Sequence, residues 1–317
     1  MKISIIVPCY NSLEYIHKCL ESFEKQTKKE FEVIIVDDCS TDGTYEWLQE
    51  HRNCYHYSMK IIKNIMNSGP NIAREMGLKY ASGEYICFCD SDDWYSNNYV
   101  ECVLEHINSD STDVLLIDYT LWLEEYKNIN KNYTRYLMDQ DIKTVIALAM
   151  DSLCMIIIKK KIIEKIKFPE LRNGEDSALI PQLLKECNSV QIIPENLYNY
   201  RVRKDSGSNQ VDINAYYSFL KSYEIIENNI RNEYEHECEF IGIKNILYAA
   251  TIVGIKANIS KEEIKRNIRH FKKKYPKYYI NKYNRFLPIY KRIYIYMAGA
   301  NIYVFLRIYG KIHARLL

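Results

Sequence analysis

The sequence predicts an α/β fold, a mostly parallel sheet with helices on both faces, followed by a helical C-terminal region. Three observations predict it. Apolar runs of strand length alternate with segments of helical spacing over the first ninety residues or so. The early strand-length runs are apolar throughout rather than alternating, as in parallel strands covered on both faces. After Asp212 the pattern becomes helical alone.

Ile3–Val7 reads as a buried strand that Pro8 halts, and Leu13–Gln26 as a helix with Ile16, Cys19, Leu20 and Phe23 on one face. Phe31–Val36 is a second strand. It ends in Asp37-Asp38 and the turn-rich Cys39-Ser40-Thr41-Asp42-Gly43, and a helix follows through Trp47 and Leu48. Lys60–Lys63 is expected as a third short strand, Ile72–Tyr80 as a helix and Glu84–Cys89 as a strand. Asp113–Asp118 and Met155–Ile158 read as strands separated by a polar insertion, Glu175–Lys185 as a helix, and Val190–Ile193 and Leu197–Arg201 as two short strands. Ala215–Ile230, Cys238–Lys256 and Lys261–Lys274 read as three helices. The expected division is a domain of residues 1–208 and a helical region of residues 209–317, with the boundary at Asp205-Ser206-Gly207-Ser208.

Composition narrows the class. The 317 residues are 47% apolar and 26% charged, enough for one large domain with an addition. Ten Gly and seven Pro argue against long disordered linkers. The ten Cys include no CxxC pair, so reduced, structural cysteines are expected, with Cys87 and Cys89 on one strand face. The run Ile3–Val7 is too short for the apolar core of a signal peptide, which with the cysteines points to a cytosolic location. Charge is segregated: from Ile264 to Leu317 there are 14 Lys and Arg and no Asp or Glu, leaving 29 basic against 41 acidic residues elsewhere. An acidic body with a basic, Tyr-rich tail is a statement about partners rather than fold.

In parallel sheets ligands sit beyond the carboxyl ends of the strands, and acidic clusters fall there twice, at Asp37-Asp38 and at Asp90-Ser91-Asp92-Asp93. Tyr10, just after Pro8, can stack on a nucleobase, and Asp38 can accept a hydrogen bond from an imide N–H. Taken alone, these residues read more simply as a strand end followed by an Asn-Ser helix cap. Three carboxylates in four residues after an apolar strand repel one another unless a cation lies between them, and hard oxygen ligands suit Mg²⁺ or Mn²⁺; the other reading is a solvated turn capping the next helix.

The order and spacing of Ile5–Asn11, Val33–Thr44, Asn67–Gly77 and Gly83–Trp94 resemble the family 2 glycosyltransferases of the GT-A fold, over roughly residues 1–205. The resemblance implies a Rossmann-like, nucleotide-sugar-binding domain that moves a sugar, with a UDP-sugar the expected donor. By position, Pro8, Tyr10 and Asp38 would hold the base and ribose, Arg74 would lie near the base or diphosphate, and Asp90, Ser91 and Asp92 match the DxD motif, with Asp92 and Asp90 as ligands of Mn²⁺ or Mg²⁺. Asp93 matches the acid that usually follows. The sequence departs from the pattern at Glu75, where Asn is usual, and near Asn97, where a Pro usually follows; neither removes a ligand.

The same resemblance places the catalytic base of inverting members at Asp176, in Asn173-Gly174-Glu175-Asp176. A positioned carboxylate can take the acceptor proton, and its neighbour Glu175 can raise its pKa. Acidic residues in a first helical turn also simply favour the helix dipole. Arg201, Arg203 and Lys204 would cover the departing diphosphate, or form a basic surface turn. The implied acceptor is a glycan, a lipid-linked sugar or a glycoprotein, and nucleic acid is not an expected partner.

Two further classes fit the sequence less well. A sugar-nucleotide nucleotidyltransferase wants a Gly-rich, basic loop after the first strand, where this chain has Pro8-Cys9-Tyr10-Asn11-Ser12. A non-catalytic scaffold has no reason to keep the acidic set together. The tail 288–317 holds no uncharged run longer than Ile293–Leu306, 14 residues against the roughly 20 of a membrane span. It suits a basic aromatic helix on the inner face of the plasma membrane, or one packed on the body or a second copy of the chain.

Overall fold

Ile3–Cys9 (β1) and Phe31–Asp37 (β2) are buried at every position, which only a central place in a covered sheet provides. The chain is seen in a computed structural model that describes residues 1–107, 112–124, 127–171, 174–203 and 211–316. The boundary expected at 208/209, Asn173 and Lys204 lie outside the described residues. Two compact units are present: Met1–Ile142, Met150–Glu170 and Glu186–Lys204 form the first, and Lys143–Ala149, Leu171–Lys185 and Asp205–Leu317 the second.

In the first unit β1 is followed by α1 (Ile16–Glu24), β2, α2 (Thr44–His51), β3 (Ser58–Lys63), α3 (Pro70–Tyr80) and β4 (Tyr85–Phe88). The expected strand–helix alternation is present. Then come β5 (Trp94–Tyr95), α4 (Tyr99–Ile107), β6 (Val114–Glu124), β7 (Lys127–Lys131), α5 (Ile142–Leu148), β8 (Ile156–Lys159), the single turn α6 (Lys160–Ile163), α7 (Glu175–Lys185) and β9 (Val190–Arg201), with α7 and all but the first residue of α5 falling in the second unit. The sheet runs β3-β2-β1-β4-β8-β6-β9-β5, with β7 beside β6. Its β3-β2-β1-β4 half is parallel, as is the β6–β9 pair. Antiparallel β8 joins the halves, and β5 and β7 are antiparallel to their neighbours, so the sheet is mixed. The two short strands expected over residues 190–201 are one strand, with register shifts opposite Asp118.

Register puts the exits of the parallel strands on one edge. Cys9 pairs with Asp37, and Ile6 with Phe88. The turns after β1, β2 and β4 therefore emerge together, and these are the segments with Tyr10, Asp38 and Asp90–Asp93. At the opposite edge Glu32 fixes that register. Its carboxylate accepts from Ser4 Oγ (2.7 Å) and from Ser82 N and Oγ (2.6 Å each), and it pairs with Lys60 Nζ at 2.8 Å. All ten cysteines are free and most are buried; burial pushes the Cys87 thiol up to about 12, which keeps it protonated and inert.

The second unit is helical. α8 (Ile213–Ile230) starts at Asp212, whose carboxylate accepts from Ala215 N at 2.7 Å. A continuous helical stretch follows: α9 (Glu235–Gly242), a π-helical segment (Ile243–Ala250) and α10 (Thr251–Lys256). It is long and apolar enough to cross a membrane, but most of it is buried inside the protein, as in a core helix. α11 (Lys261–Lys274), α12 (Ile289–Gly299) and α13 (Tyr303–Leu316) complete the unit. Aromatic side chains supply much of the packing, as between Tyr294 and Tyr309, whose rings are 4.8 Å apart.

Candidate active site

β1 ends where Pro8 and Cys9 pair with Val36 and Asp37. Tyr10 then stands 48% exposed at the strand exit. Asn11 turns the chain at φ +46°, donating from its N–H to Ser40 Oγ and accepting from Thr41 N, which binds the β1 and β2 exits together. Ser12 donates its N–H to Thr44 Oγ1 and shares a 2.7 Å hydrogen bond with Ser91. The Ser91 hydroxyl is thus engaged with the first loop.

Asp38 is buried and heavily used. It accepts from Asn64 Nδ2 (2.8 Å), Ser68 N (2.9 Å) and Gly69 N (2.7 Å), holding the segment between β3 and α3 against the end of β2. A carboxylate offers about four acceptor positions, so about one remains. Arg74 on α3 is 4% exposed and donates from Nη2 to Asp90 Oδ1 at 2.8 Å.

The acidic turn divides its labour. Asp93 is 1% exposed and points inward, accepting from Tyr198 O–H at 2.6 Å and from Arg201 N at 2.7 Å. Burial, then Asp92 and Asp90, push its carboxyl well above the usual range. Asp93 is therefore the anchor that draws the end of β9 to the turn. Arg201 Nε donates to the Asp92 carbonyl at 2.9 Å, and Arg203 Nε lies 2.7 Å from Asp92 Oδ2, a charge contact without hydrogen-bond alignment. Asp92 is raised by burial and by Asp90, with Arg203 and Arg201 opposing. Asp90 and Asp92 keep partial exposure and are the two oxygen donors the turn offers.

Those two suit a metal only as a shared site. Among the described residues no three His, Cys, Asp or Glu side chains converge as an all-protein cage would need. Mg²⁺ and Mn²⁺ are commonly held by one or two carboxylates together with phosphate oxygens and water, and the pair Asp90 and Asp92 fits that arrangement.

Sequence reasoning missed the partners of this turn. Tyr198 is fully buried and joins Asp93 to the backbone of Asp90, its hydroxyl also accepting from Asp90 N at 3.2 Å. Tyr15 and Trp94 form an aromatic bed for the arginines: the Arg201 guanidinium lies 5.2 Å from the Tyr15 ring and 5.3 Å from Trp94, and that of Arg203 4.9 Å from Tyr15. The run Tyr198-Asn199-Tyr200-Arg201 carries the signal, but not the direction each residue faces.

All of these residues lie in the first unit. Asp176 lies in the second, in the first turn of α7 beside Glu175. Gly174, at φ +74°, supplies the left-handed backbone that starts this helix, and its carbonyl accepts from Ala178 N at 3.0 Å. Ser177 is fixed from the other side by Asn245, 3.3 Å away.

Comparison with known proteins accords with this geometry. The family model described as glycosyl transferase family 2 matches residues 4–167. The chain is 30% identical over 218 residues to glycosyltransferase GlyA of Streptococcus pneumoniae, covering 65% of this chain and 31% of that protein. It is 32% identical over 216 residues to the poly(ribitol-phosphate) β-N-acetylglucosaminyltransferase TarS of Staphylococcus aureus, covering 65% and 36%. The chain thus spans about a third of the length of these relatives. The crystal structure of S. aureus TarS 1–349 in complex with UDP-GlcNAc superposes with a TM-score of 0.72 at 23% identity, covering 99% of this chain and 92% of that one. The mannosyltransferase PcManGT from Pyrobaculum calidifontis, in complex with GDP-Man and Mn²⁺, gives 0.59 at 15% identity, covering 94% and 86%. At these identities the likeness of structure establishes the fold, GT-A with a helical C-terminal region.

Proposed function

The chain belongs to glycosyl transferase family 2, and on that premise we propose that it moves one sugar from a nucleotide-sugar, of UDP type, onto a hydroxyl of a glycan, polyol-phosphate or lipid-linked acceptor on the cytoplasmic side of a bacterial membrane. The observation that carries this reading is the gathering, at one edge of the parallel strands, of an exposed Tyr10, a buried Asp38, and an acidic turn whose two outward carboxylates face Arg74 and Arg203. The names of the relatives, which act on or bind UDP-GlcNAc and poly(ribitol-phosphate), support the donor type and the acceptor class.

In the proposed reaction Tyr10 stacks on the base and Asp38 takes its N–H, with Pro8 shaping the strand exit. Asp90 and Asp92 would hold Mn²⁺ or Mg²⁺ jointly with the diphosphate, and a bound ion of this kind neutralises charge on a leaving phosphate. Arg201 and Arg203, fixed to the turn by Asp93 and Asp92, add two cations where negative charge grows. The acceptor oxygen attacks the anomeric carbon and passes its proton to Asp176, while the bond to the β-phosphate oxygen breaks and the nucleoside diphosphate leaves with the electron pair. Attack opposite to departure inverts the anomeric centre.

The test is nucleoside diphosphate release from a panel of UDP-, GDP- and dTDP-sugars, with Mn²⁺ and with EDTA. Slow hydrolysis of a UDP-sugar that stops with EDTA is expected. Preference for a GDP-sugar would overturn the donor type, and absence of any nucleotide binding by calorimetry would overturn the transferase reading.

A further inference from the structure

The exposed face of α12 is the wrong chemistry for a face bathed in water. Ile289, Ile293 and Tyr296 stand at i, i+4 and i+7, so they share one side of the helix, and they are 72%, 49% and 66% exposed. The opposite side, Tyr294, Ile295 and Ala298, is buried, so the helix is already fully packed by its other face. On α13 Val304 and Ile308, again at i and i+4, are exposed. Single exposed apolar residues are ordinary, but with Tyr290 and Ile302 seven large ones stand exposed in the twenty residues 289–308, a density of the kind that marks an interaction surface. Exposed arginines flank it: Arg285 before α12, Arg292 within it and Arg307 in α13.

The charge around the patch chooses its occupant. From Ile264 to Leu317 there are 14 basic and no acidic residues, while the rest of the chain carries 29 basic against 41 acidic. Symmetric pairing of this face with a second copy would set arginines against arginines with no acid in the segment to compensate. An anionic bilayer offers both a layer for Ile and Tyr side chains at headgroup depth and phosphates for the arginines, and it repels the acidic remainder. The uncharged run Ile293–Leu306, at 14 residues, is too short to span about 30 Å of hydrocarbon but suits lying in the interface.

We infer that the α12–α13 face docks the protein on the surface of an anionic lipid bilayer, with Ile289, Ile293, Tyr296, Val304 and Ile308 entering the headgroup region and Arg285, Arg292 and Arg307 bound to lipid phosphates. This stands independently of the transferase reading. It would hold the chain at the surface where an acceptor carried by a membrane lipid is found.

The test is co-sedimentation of the full chain with vesicles of phosphatidylcholine alone and with 30% phosphatidylglycerol, in low and high salt. Binding is expected only to the anionic vesicles and should weaken as salt rises. Each arginine lost at the surface should cost about fivefold in partitioning, so Arg292→Gln/Arg307→Gln should bind more than tenfold more weakly, and Ile289→Ser/Ile293→Ser likewise. These sites are exposed, so melting temperature and nucleoside diphosphate release should stay at wild-type level, which separates lost docking from lost folding. Absence of binding by the intact chain, equal binding to neutral vesicles, or full binding by both double variants would overturn the inference. So would wild-type vesicle binding in variants whose mass in sedimentation shifts to a smaller species, since the face would then be a contact between copies.

Discussion

Glu32→Gln probes the framework that brings the three strand exits together. Glu32 ties β1, β2, β3 and the turn before β4 through Ser4, Lys60 and Ser82. Burial is the largest single influence and favours its neutral form, but the bonds from Lys60, Ser82 and Ser4 together outweigh it and hold the carboxyl at about 2 against an ordinary 4.5. That difference corresponds to about 3 kcal/mol of folded-state stability at neutral pH, reduced to about 2 because Lys60 is 42% exposed and solvent screens it. With the folded pKa depressed, the stabilisation is complete above about pH 4.5 and is lost as pH falls toward 2. Glu32→Gln should therefore melt about 4–8 °C lower at pH 7. Its melting temperature should also fall less steeply than wild type between pH 5 and 2. The assay is thermal unfolding followed by circular dichroism across that range. A variant that melts within a degree of wild type at pH 7 and keeps the wild-type acid slope would mean that the Glu32 carboxylate does not hold this framework.

Gly83→Ala should cost about 1–3 kcal/mol in denaturant unfolding, because a Cβ there lies 2.6 Å from Ser4 N and 2.7 Å from Ile3 C, backbone atoms of a central strand that cannot yield. Arg74→Gln should raise the donor KM about tenfold or more in steady-state release of nucleoside diphosphate, since it removes the 2.8 Å charge-assisted bond to Asp90; an unchanged KM would take Arg74 out of the donor site. Asp176→Asn should lower transfer about 10²–10⁴-fold while leaving donor affinity by calorimetry unchanged, and retained transfer would end its assignment as base.

The parallel half of the fold was legible because its strands are continuous apolar runs closed by Pro8, by Asp37-Asp38 and by Asp90, and such runs have few alternatives. The acidic clusters could be placed at the strand exits for the same reason. What stayed hidden depends on pairings distant in sequence. β5 is two residues long, too short to carry a period, and exists because Trp94 and Tyr95 pair with Asn199 and Tyr198. β9 reads as two strands because Pro194-Glu195-Asn196 interrupts its apolar run, where the ladder shifts opposite Asp118. The polar insertion between residues 118 and 155 conceals β7 and α5, the first a strand of Lys, Asn and a single Ile. Asp90, Asp92 and Asp93 look alike in sequence. Tyr198 and Arg201 turn Asp93 inward, and no local pattern announces that a residue 105 positions away will do so.

In the proposed reaction Asp90 and Asp92 would bind a divalent cation together with a nucleoside diphosphate. Calorimetric titration of UDP with and without Mn²⁺, on wild type and Asp92→Ala, tests it most directly. Mn²⁺ is expected to tighten UDP binding tenfold or more in the wild type, and this gain is expected to disappear in Asp92→Ala. An equal gain in both proteins, or UDP binding indifferent to Mn²⁺ in the wild type, would contradict it.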